Sequence, residues 1–61
     1  MIWLQFVDGR SGEVLFECHA AAAPRVAEGV LLPDGRSFTV VGVVWELGRA
    51  LGVDAVQLVV Q

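Results

Sequence analysis

EGVLLPDGRSFTVVGVVWE, residues 28–46, contains two runs rich in β-branched and aromatic residues on either side of a short turn. The turn is Pro33-Asp34-Gly35. Proline presets the entry into a turn, and Asp-Gly between apolar runs is a strong hairpin signal because glycine accepts a positive φ without steric cost. This stretch therefore predicts a β-hairpin and favours an all-β fold.

The second arm of the hairpin, residues 36–45, is long and contains Gly42. A glycine inside a strand is typical of a bend or a β-bulge, and a long bent strand lets a small sheet close on itself. Beyond Gly42 the register stays open. A bulge would turn Val43 and Trp45 inward, and a regular strand would turn Val44 inward instead.

Three further strands are predicted outside the hairpin, at residues 2–7, 13–19 and 55–60, because each run alternates with a period of two. In the second of these the Val14 face is expected to be the core, since the other face carries two glutamates and His19. The alternation places each of the following sets on one face: Ile2, Leu4 and Phe6; Val14, Phe16 and Cys18; Val56, Leu58 and Val60. Phe38 and Val40 are expected to point inward in the hairpin.

The connections are predicted from their turn-forming residues. Residues 8–12, DGRSG, are typical of a four- or five-residue hairpin loop. Residues 20–27 form a connector, because Pro24 disfavours a helical conformation at the residue before it. Residues 46–54 are expected to be a loop with one short helical turn that places Leu47 and Leu51 on the same side.

The size and composition set limits on function. The 61 residues can form one domain, residues 1–61, and a chain this short buries only about 60% of the surface that its unfolded form exposes. Hydrophobic residues make up 56% of the chain and the mean hydropathy is +0.67, above the roughly 45–50% apolar content of ordinary soluble domains. We therefore expect part of the apolar surface to contact another chain.

Charge and cysteine content exclude several classes of protein. No run approaches the roughly 18–20 apolar residues of a membrane span, and the first residues do not resemble a secretory signal. The single cysteine, Cys18, cannot form an internal disulfide or a cysteine-based zinc site, and it suits a reducing compartment such as the cytoplasm. The net charge of −3 argues against binding to a phosphate backbone.

Five short strands with a long bent fourth strand favour a partly closed barrel, because closure removes exposed sheet edges. The hairpin also resembles one found in small SH3-like β-barrel proteins of bacteria and phages, which follows the pattern G-V-x-L-x-D-G-R-x-[FY]-x-V. The matching residues are Gly29, Val30, Leu32, Asp34, Gly35, Arg36, Phe38 and Val40. The resemblance covers residues 28–60 and implies a small five-stranded, partly closed SH3-like barrel. It implies no activity.

The sequence contains no convincing catalytic pattern. Cys18 and His19 are adjacent, and neighbouring strand residues point to opposite faces, so the two cannot turn toward one ligand. Glu13 and Glu17 share a face, where exposed charges more often protect a sheet against edge pairing. We therefore expect no enzyme, and no catalytic, cofactor-binding or metal site.

The apolar residues left over from the predicted core suggest an interaction surface instead. Aromatic residues often anchor protein contacts. The candidate contact residues are Trp3, Leu15, Val41, Trp45 and Val59. The leading hypothesis is a non-enzymatic interaction or structural module that binds another protein or self-associates through an apolar sheet face, with a dimer as the simplest form. Pairing through the N-terminal or C-terminal strand would be the simplest route to that dimer.

The alternative is a nucleic-acid-associated small β-barrel, which the net charge disfavours. It would require the four arginines to gather on one face: Arg10, Arg25, Arg36 and Arg49. No small-molecule substrate and no membrane are implied by the sequence.

Overall fold

The computed structural model describes residues 1–49 and 53–61. These residues form five β-strands and no helix, which confirms the all-β class. The strands are β1 (Ile2–Asp8), β2 (Val14–Ala20), β3 (Gly29–Leu31), β4 (Ser37–Arg49) and β5 (Val53–Val60).

The strands form a single sheet in the order β2-β1-β5-β4-β3. Neighbouring strands are antiparallel except for β1 and β5, which are parallel. The sheet is curled through 222° into a half-barrel, which confirms the expected small, partly closed five-stranded barrel.

The two terminal strands lie in the interior of the sheet. β1 is flanked by β2 and β5, and β5 is flanked by β1 and β4. The expectation that two copies pair through a terminal strand is therefore wrong, because each terminal strand already has a neighbour on both sides.

The core lies on one face of the curled sheet, here called the inner face. Its centre is Leu58, which is opposite Phe6 of β1 and Val43 of β4. The buried core residues are Leu4, Phe6, Leu32, Val40, Val56, Leu58 and Val60. The period-two alternation predicted for the first and last strands is thus confirmed.

A β-bulge in β2 overturns one prediction. Phe6 is opposite Phe16 and Val7 is opposite Val14, so Leu15 is an extra residue in β2. A shift of one residue moves each following side chain to the other face of the strand. Val14 accordingly lies opposite Val7 and is 45% exposed, whereas Leu15 and Phe16 both pack against the core. The prediction that Val14 faces the core was wrong, and that for Phe16 is confirmed.

A second bulge lies in β4 and decides between the two registers left open by the sequence. Val40 is opposite Val60 and Gly42 is opposite Val59, so Val41 is the extra residue. Val43 packs against the core beyond the bulge, as the bulged alternative predicted. The inward positions of Phe38 and Val40 are also confirmed.

The region after Trp45 differs from the sequence prediction. β4 continues to Arg49 and β5 begins at Val53, with Glu46 opposite Ala55 and Arg49 opposite Val53. Residues 46–49 are therefore strand, and the predicted loop and helical turn are wrong for them because the ladder to β5 continues from Glu46 to Arg49, with an irregularity between these two residues. The predicted position of Leu51 lies outside the described residues.

Two tight turns place the strands as the sequence predicted. Gly35 has a φ of 92°, a conformation that L side chains rarely adopt, and its N–H donates to the carbonyl of Leu32 at 2.9 Å. In the first loop Gly12 has a φ of 76° and donates to the carbonyl of Asp8 at 2.8 Å. The loop is also tied to β5, since the N–H of Gly9 donates to the carbonyl of Val60.

The connector between β2 and β3 contains no regular element, as predicted. Ala23 packs against the core, so the connector contributes to closing the half-barrel. The N–H of Ala27 donates to the carbonyl of Val40, and the N–H of Val40 donates to the carbonyl of Glu28. The connector thus extends the pairing of β3 with β4 by two residues, up to the bulge.

Candidate interaction surface

The outer edge of β4 is covered only at its beginning. β3 pairs with Ser37, Phe38 and Thr39, and the connector adds the bonds to Val40. From there β4 continues to Arg49, and β5 is the only strand of the described chain that pairs with this second half. We call residues 41–47, which lack a strand on their outer side in the described structure, the β4 edge.

The β4 edge is apolar on both faces of the sheet. Trp45 is 50% exposed and Leu47 is 73% exposed, and Val41 and Val44 are also exposed. Glu46 is the only charged residue in the segment, whose sequence is VGVVWEL. An exposed strand edge with high β-propensity, low charge and no proline is a template for pairing with another strand.

The exposure of Trp45 follows from its position at the end of a row of inner-face residues. In that row Cys18 is opposite Leu4, Leu4 is opposite Val56, and Val56 is opposite Trp45. The first three side chains pack in or against the core. Trp45 terminates the row, because at its position β4 has no further strand beside it in the described structure, and half of its surface remains accessible.

The opposite edge of the sheet, β2, is polar on the outer face. Glu17 and His19 are exposed there, and His19 lies directly opposite the half-buried Trp3 of β1. The indole Nε1–H of Trp3 donates to Oε2 of Glu17 at 3.0 Å, and the rings of Trp3 and His19 lie 4.7 Å apart at 66°. Trp3 therefore lies among polar partners, and the charge of Glu17 on β2 disfavours the approach of another strand.

The centre of the outer face is polar as well. Gln5 and Gln57 are opposite each other, and Nε2 of Gln57 donates to Oε1 of Gln5 at 3.1 Å. Glu17 continues this row on β2 and Val44 continues it on β4. The row becomes apolar only where it reaches the β4 edge.

The five predicted contact residues do not form one patch. Val41 and Trp45 lie on the β4 edge, and Leu15 packs against the core. Trp3 and Val59 lie on the outer face, where Val59 is half-buried opposite Gly42.

Sequence reasoning missed Leu47 and left Val44 as an inward alternative. The signal that could have found Leu47 is the large apolar residue at every second position from Val41 through Val43 and Trp45, which continues the strand pattern beyond Trp45.

The two side chains that could take part in chemistry, those of Cys18 and His19, lie on opposite faces of the sheet. Cys18 packs against the core on the inner face, whereas His19 is exposed on the outer face beside Trp3. Within residues 1–49 and 53–61, no group of three His, Cys, Asp or Glu side chains could hold a metal ion. The described residues also contain no helix that is long and apolar enough to cross a membrane.

Arg36 is engaged in the β3–β4 turn. Its Nε lies 2.6 Å from Oδ2 of Asp34, and its guanidinium lies 5.6 Å from the ring centroid of Phe38. The hydrogen bond from the Arg36 backbone N–H, followed by that from its side chain, lowers the pKa of Asp34 below the ordinary value of 3.8. Arg10 and Arg25 lie in two other loops, and the side chain of Arg49 is not among those described.

Comparison with protein-family models, with curated proteins and with solved structures found no match to this chain.

Proposed function

We propose that the protein is a non-enzymatic interaction module that self-associates through the β4 edge. The observation that carries this proposal is the coincidence of an uncovered strand edge with exposed apolar side chains at Val44, Trp45 and Leu47. Burial of apolar surface stabilises association by roughly 25 cal/mol per Å² before the costs of ordering are subtracted. An SH3-like ancestry and a cytoplasmic location, which suits the lone thiol of Cys18, belong to the same proposal.

Light scattering over a wide range of protein concentration tests the proposal, because an association constant follows from the change in mean mass. We expect the mass to rise from that of a 6.5 kDa monomer to that of a dimer. A constant monomer mass up to millimolar concentration would contradict the proposal.

A matched pair of leucines locates the contact. Leu47 on the β4 edge is 73% exposed and Leu31 on β3 is 74% exposed, so replacement of either by glutamate should leave the fold intact. We expect Leu47→Glu to shift the association to at least tenfold higher concentration, because a carboxylate would have to be desolvated in the contact. Leu31→Glu should associate like the unmodified chain. An equal effect of both variants would place the contact elsewhere.

A further inference from the structure

We infer that Asp34-Gly35, in the turn between β3 and β4, is a site of spontaneous covalent modification, at which the folded chain converts aspartate to isoaspartate. This inference does not depend on the proposed self-association. It rests on a comparison with Asp8-Gly9, because the tetrapeptide Asp-Gly-Arg-Ser occurs at residues 8–11 and again at residues 34–37. The same tetrapeptide has nearly the same intrinsic reactivity, so a difference between the two sites comes from their structural surroundings.

The reaction needs only the chain and water. The backbone nitrogen of the glycine attacks Cγ of the protonated aspartate, the N–Cγ bond forms, and one carboxyl oxygen leaves as water with the amide proton and the acid proton. Water then opens the five-membered succinimide ring. Opening at Cγ restores aspartate, whereas opening at the former main-chain carbonyl gives isoaspartate of the same mass. A following glycine favours ring closure, because its backbone rotates freely and it has no side chain.

Asp8-Gly9 is held by bonds to other parts of the sheet. The N–H of Gly9 donates to the carbonyl of Val60 on β5, and the N–H of Asp8 donates to the carbonyl of Glu13, both at 2.8 Å. Gly9 also packs closely against β5, where an added Cβ would lie 3.0 Å from Cγ1 of Val59. The nitrogen of Gly9 is therefore released only when the ends of β1 and β5 separate.

The bonds that hold Asp34-Gly35 lie inside its own turn. The N–H of Gly35 donates to the carbonyl of Leu32, and the backbone N–H of Arg36 donates to Oδ1 of Asp34, both at 2.9 Å. Asp34 and Gly35 are both exposed. In the part of the chain that the structure describes, a Cβ at Gly35 would have no atom within 4 Å apart from its chain neighbours. A local opening of the turn thus frees this nitrogen while β4 stays paired with β5, and such local openings cost the least free energy in a folded protein.

Arg36 slows the reaction at Asp34. The hydrogen bonds from its backbone N–H and then from its side chain lower the pKa of Asp34, which keeps the carboxyl group ionised, and a carboxylate has no good leaving group. The backbone bond has a counterpart at the first site, where the N–H of Arg10 donates to Oδ1 of Asp8 at 2.8 Å. The side-chain bond is specific to Asp34, but both partners are about half exposed, and exposed ion pairs are weak. Arg36 therefore slows the conversion without preventing it.

The modification would lengthen the main chain of the turn by one carbon atom. β3 pairs with β4 over three residues only, Gly29–Leu31, and the register of a hairpin depends on its turn. Conversion at Asp34 would therefore weaken the cover that β3 gives to the beginning of β4.

Peptide mapping after incubation tests the inference. Trypsin cleaves after arginine, so Asp8 and Asp34 fall in separate peptides, residues 1–10 and 26–36. Chromatography separates the isoaspartyl peptide from the aspartyl peptide of equal mass, and electron-transfer fragmentation identifies it. In the folded chain at mildly acidic pH, we expect isoaspartate to accumulate at Asp34 at least about tenfold faster than at Asp8. In urea, where the fold is lost, the two sites should convert at similar rates.

Two substitutions matched in sequence test the role of Arg36. Arg36→Met should speed the conversion at Asp34 several-fold, whereas Arg10→Met should leave the rate at Asp8 unchanged. An unchanged rate in Arg36→Met would overturn the role of the ion pair.

The rates in the folded chain decide the inference itself. Equal rates at the two sites, or a faster conversion at Asp8, would overturn it. A folded chain in which neither site converts, while the chain in urea does, would also overturn it, because the turn would then be as well protected as the sheet.

Discussion

Trp45 of β4 lies directly opposite Val56 of β5, yet Val56 is 1% exposed and Trp45 is 50% exposed. Val56 has Leu4 of β1 on its other side, whereas the part of the chain that the structure describes has no strand beyond Trp45. Burial on the inner face therefore depends on the number of neighbouring strands as well as on the direction of the side chain.

This difference predicts unequal stability effects of two substitutions. Val56→Ala removes two buried methyl groups and should lower the free energy of unfolding by about 2 kcal/mol. Trp45→Thr should lower it by less than about 1 kcal/mol, because half of the indole is exposed and threonine favours strands. Urea unfolding in a Leu47→Glu background, which we expect to be monomeric, measures both. Equal losses would mean that Trp45 is part of the monomer core.

Replacement of each of two hairpin glycines, Gly35 and Gly42, by alanine should change the stability of the chain in different ways. Gly35 has a φ of 92°, so Gly35→Ala should cost about 1–2 kcal/mol of stability. Gly42 has no positive φ, and a Cβ there would lie 3.6 Å from Cβ of Val59, an ordinary contact. Gly42→Ala should therefore be neutral or stabilise by up to about 1 kcal/mol. Thermal unfolding of the two variants checks the order, and a larger loss for Gly42→Ala would contradict it.

The elements predicted correctly from the sequence are those whose conformation is determined by their own residues and immediate neighbours. The Pro33-Asp34-Gly35 turn needs a positive φ at glycine, and the alternation of the last strand places Val56, Leu58 and Val60 in the core. The bulge at Leu15 was not predictable in this way, because no turn-forming residue marks it and the pattern of β2 reads as a regular strand. The error at Val14 follows from that single extra residue.

The candidate surface was only partly predictable for a different reason. Val41 and Trp45 were identified as leftover apolar residues, but Leu47 was assigned to a helical turn because Leu47 and Leu51 are spaced four apart. Whether these side chains are covered depends on the length of β3, which pairs with only three residues of β4. That length is set by where the connector rejoins the sheet, and local pattern does not specify it.

The positive φ of Ala27 predicts that replacing this residue by glycine stabilises the chain. Its φ is 78°, a left-handed conformation that costs a non-glycine residue about 1–2 kcal/mol. Ala27→Gly removes this strain but also makes the unfolded chain more flexible, which costs about 0.4–1 kcal/mol. We expect a net gain of up to about 1 kcal/mol in the free energy of unfolding.

Ala22 is the matched control for Ala27, since it is exposed in the same connector and has no positive φ. Ala22→Gly should only lose stability, by about 0.4–1 kcal/mol. Chemical denaturation of both variants gives the comparison. A loss of equal size at the two positions would show that Ala27 is not strained.

The lowered pKa of Asp34 predicts that the stability of the folded chain depends on pH through the hairpin turn. Hydrogen bonds from the backbone N–H of Arg36 and then from its side chain lower the pKa of Asp34 in the folded chain below its ordinary value of 3.8. A carboxylate with a lowered pKa contributes stability that is present above pH 3.8 and is lost as the pH falls through the folded pKa. Asp34→Asn should therefore lower stability at neutral pH and have a smaller effect at pH values below the folded pKa.

The variant Arg36→Met separates the two hydrogen bonds, because it removes the guanidinium and keeps the backbone N–H. The backbone bond is the larger cause of the lowered pKa, so the pKa of Asp34 should rise in this variant and still remain below 3.8. A ¹³C NMR titration of the Asp34 carboxyl group measures it in both chains. If the pKa of Asp34 in Arg36→Met reaches 3.8, the guanidinium alone lowers it in the unmodified chain. The backbone hydrogen bond in the turn then makes no contribution to the lowered pKa.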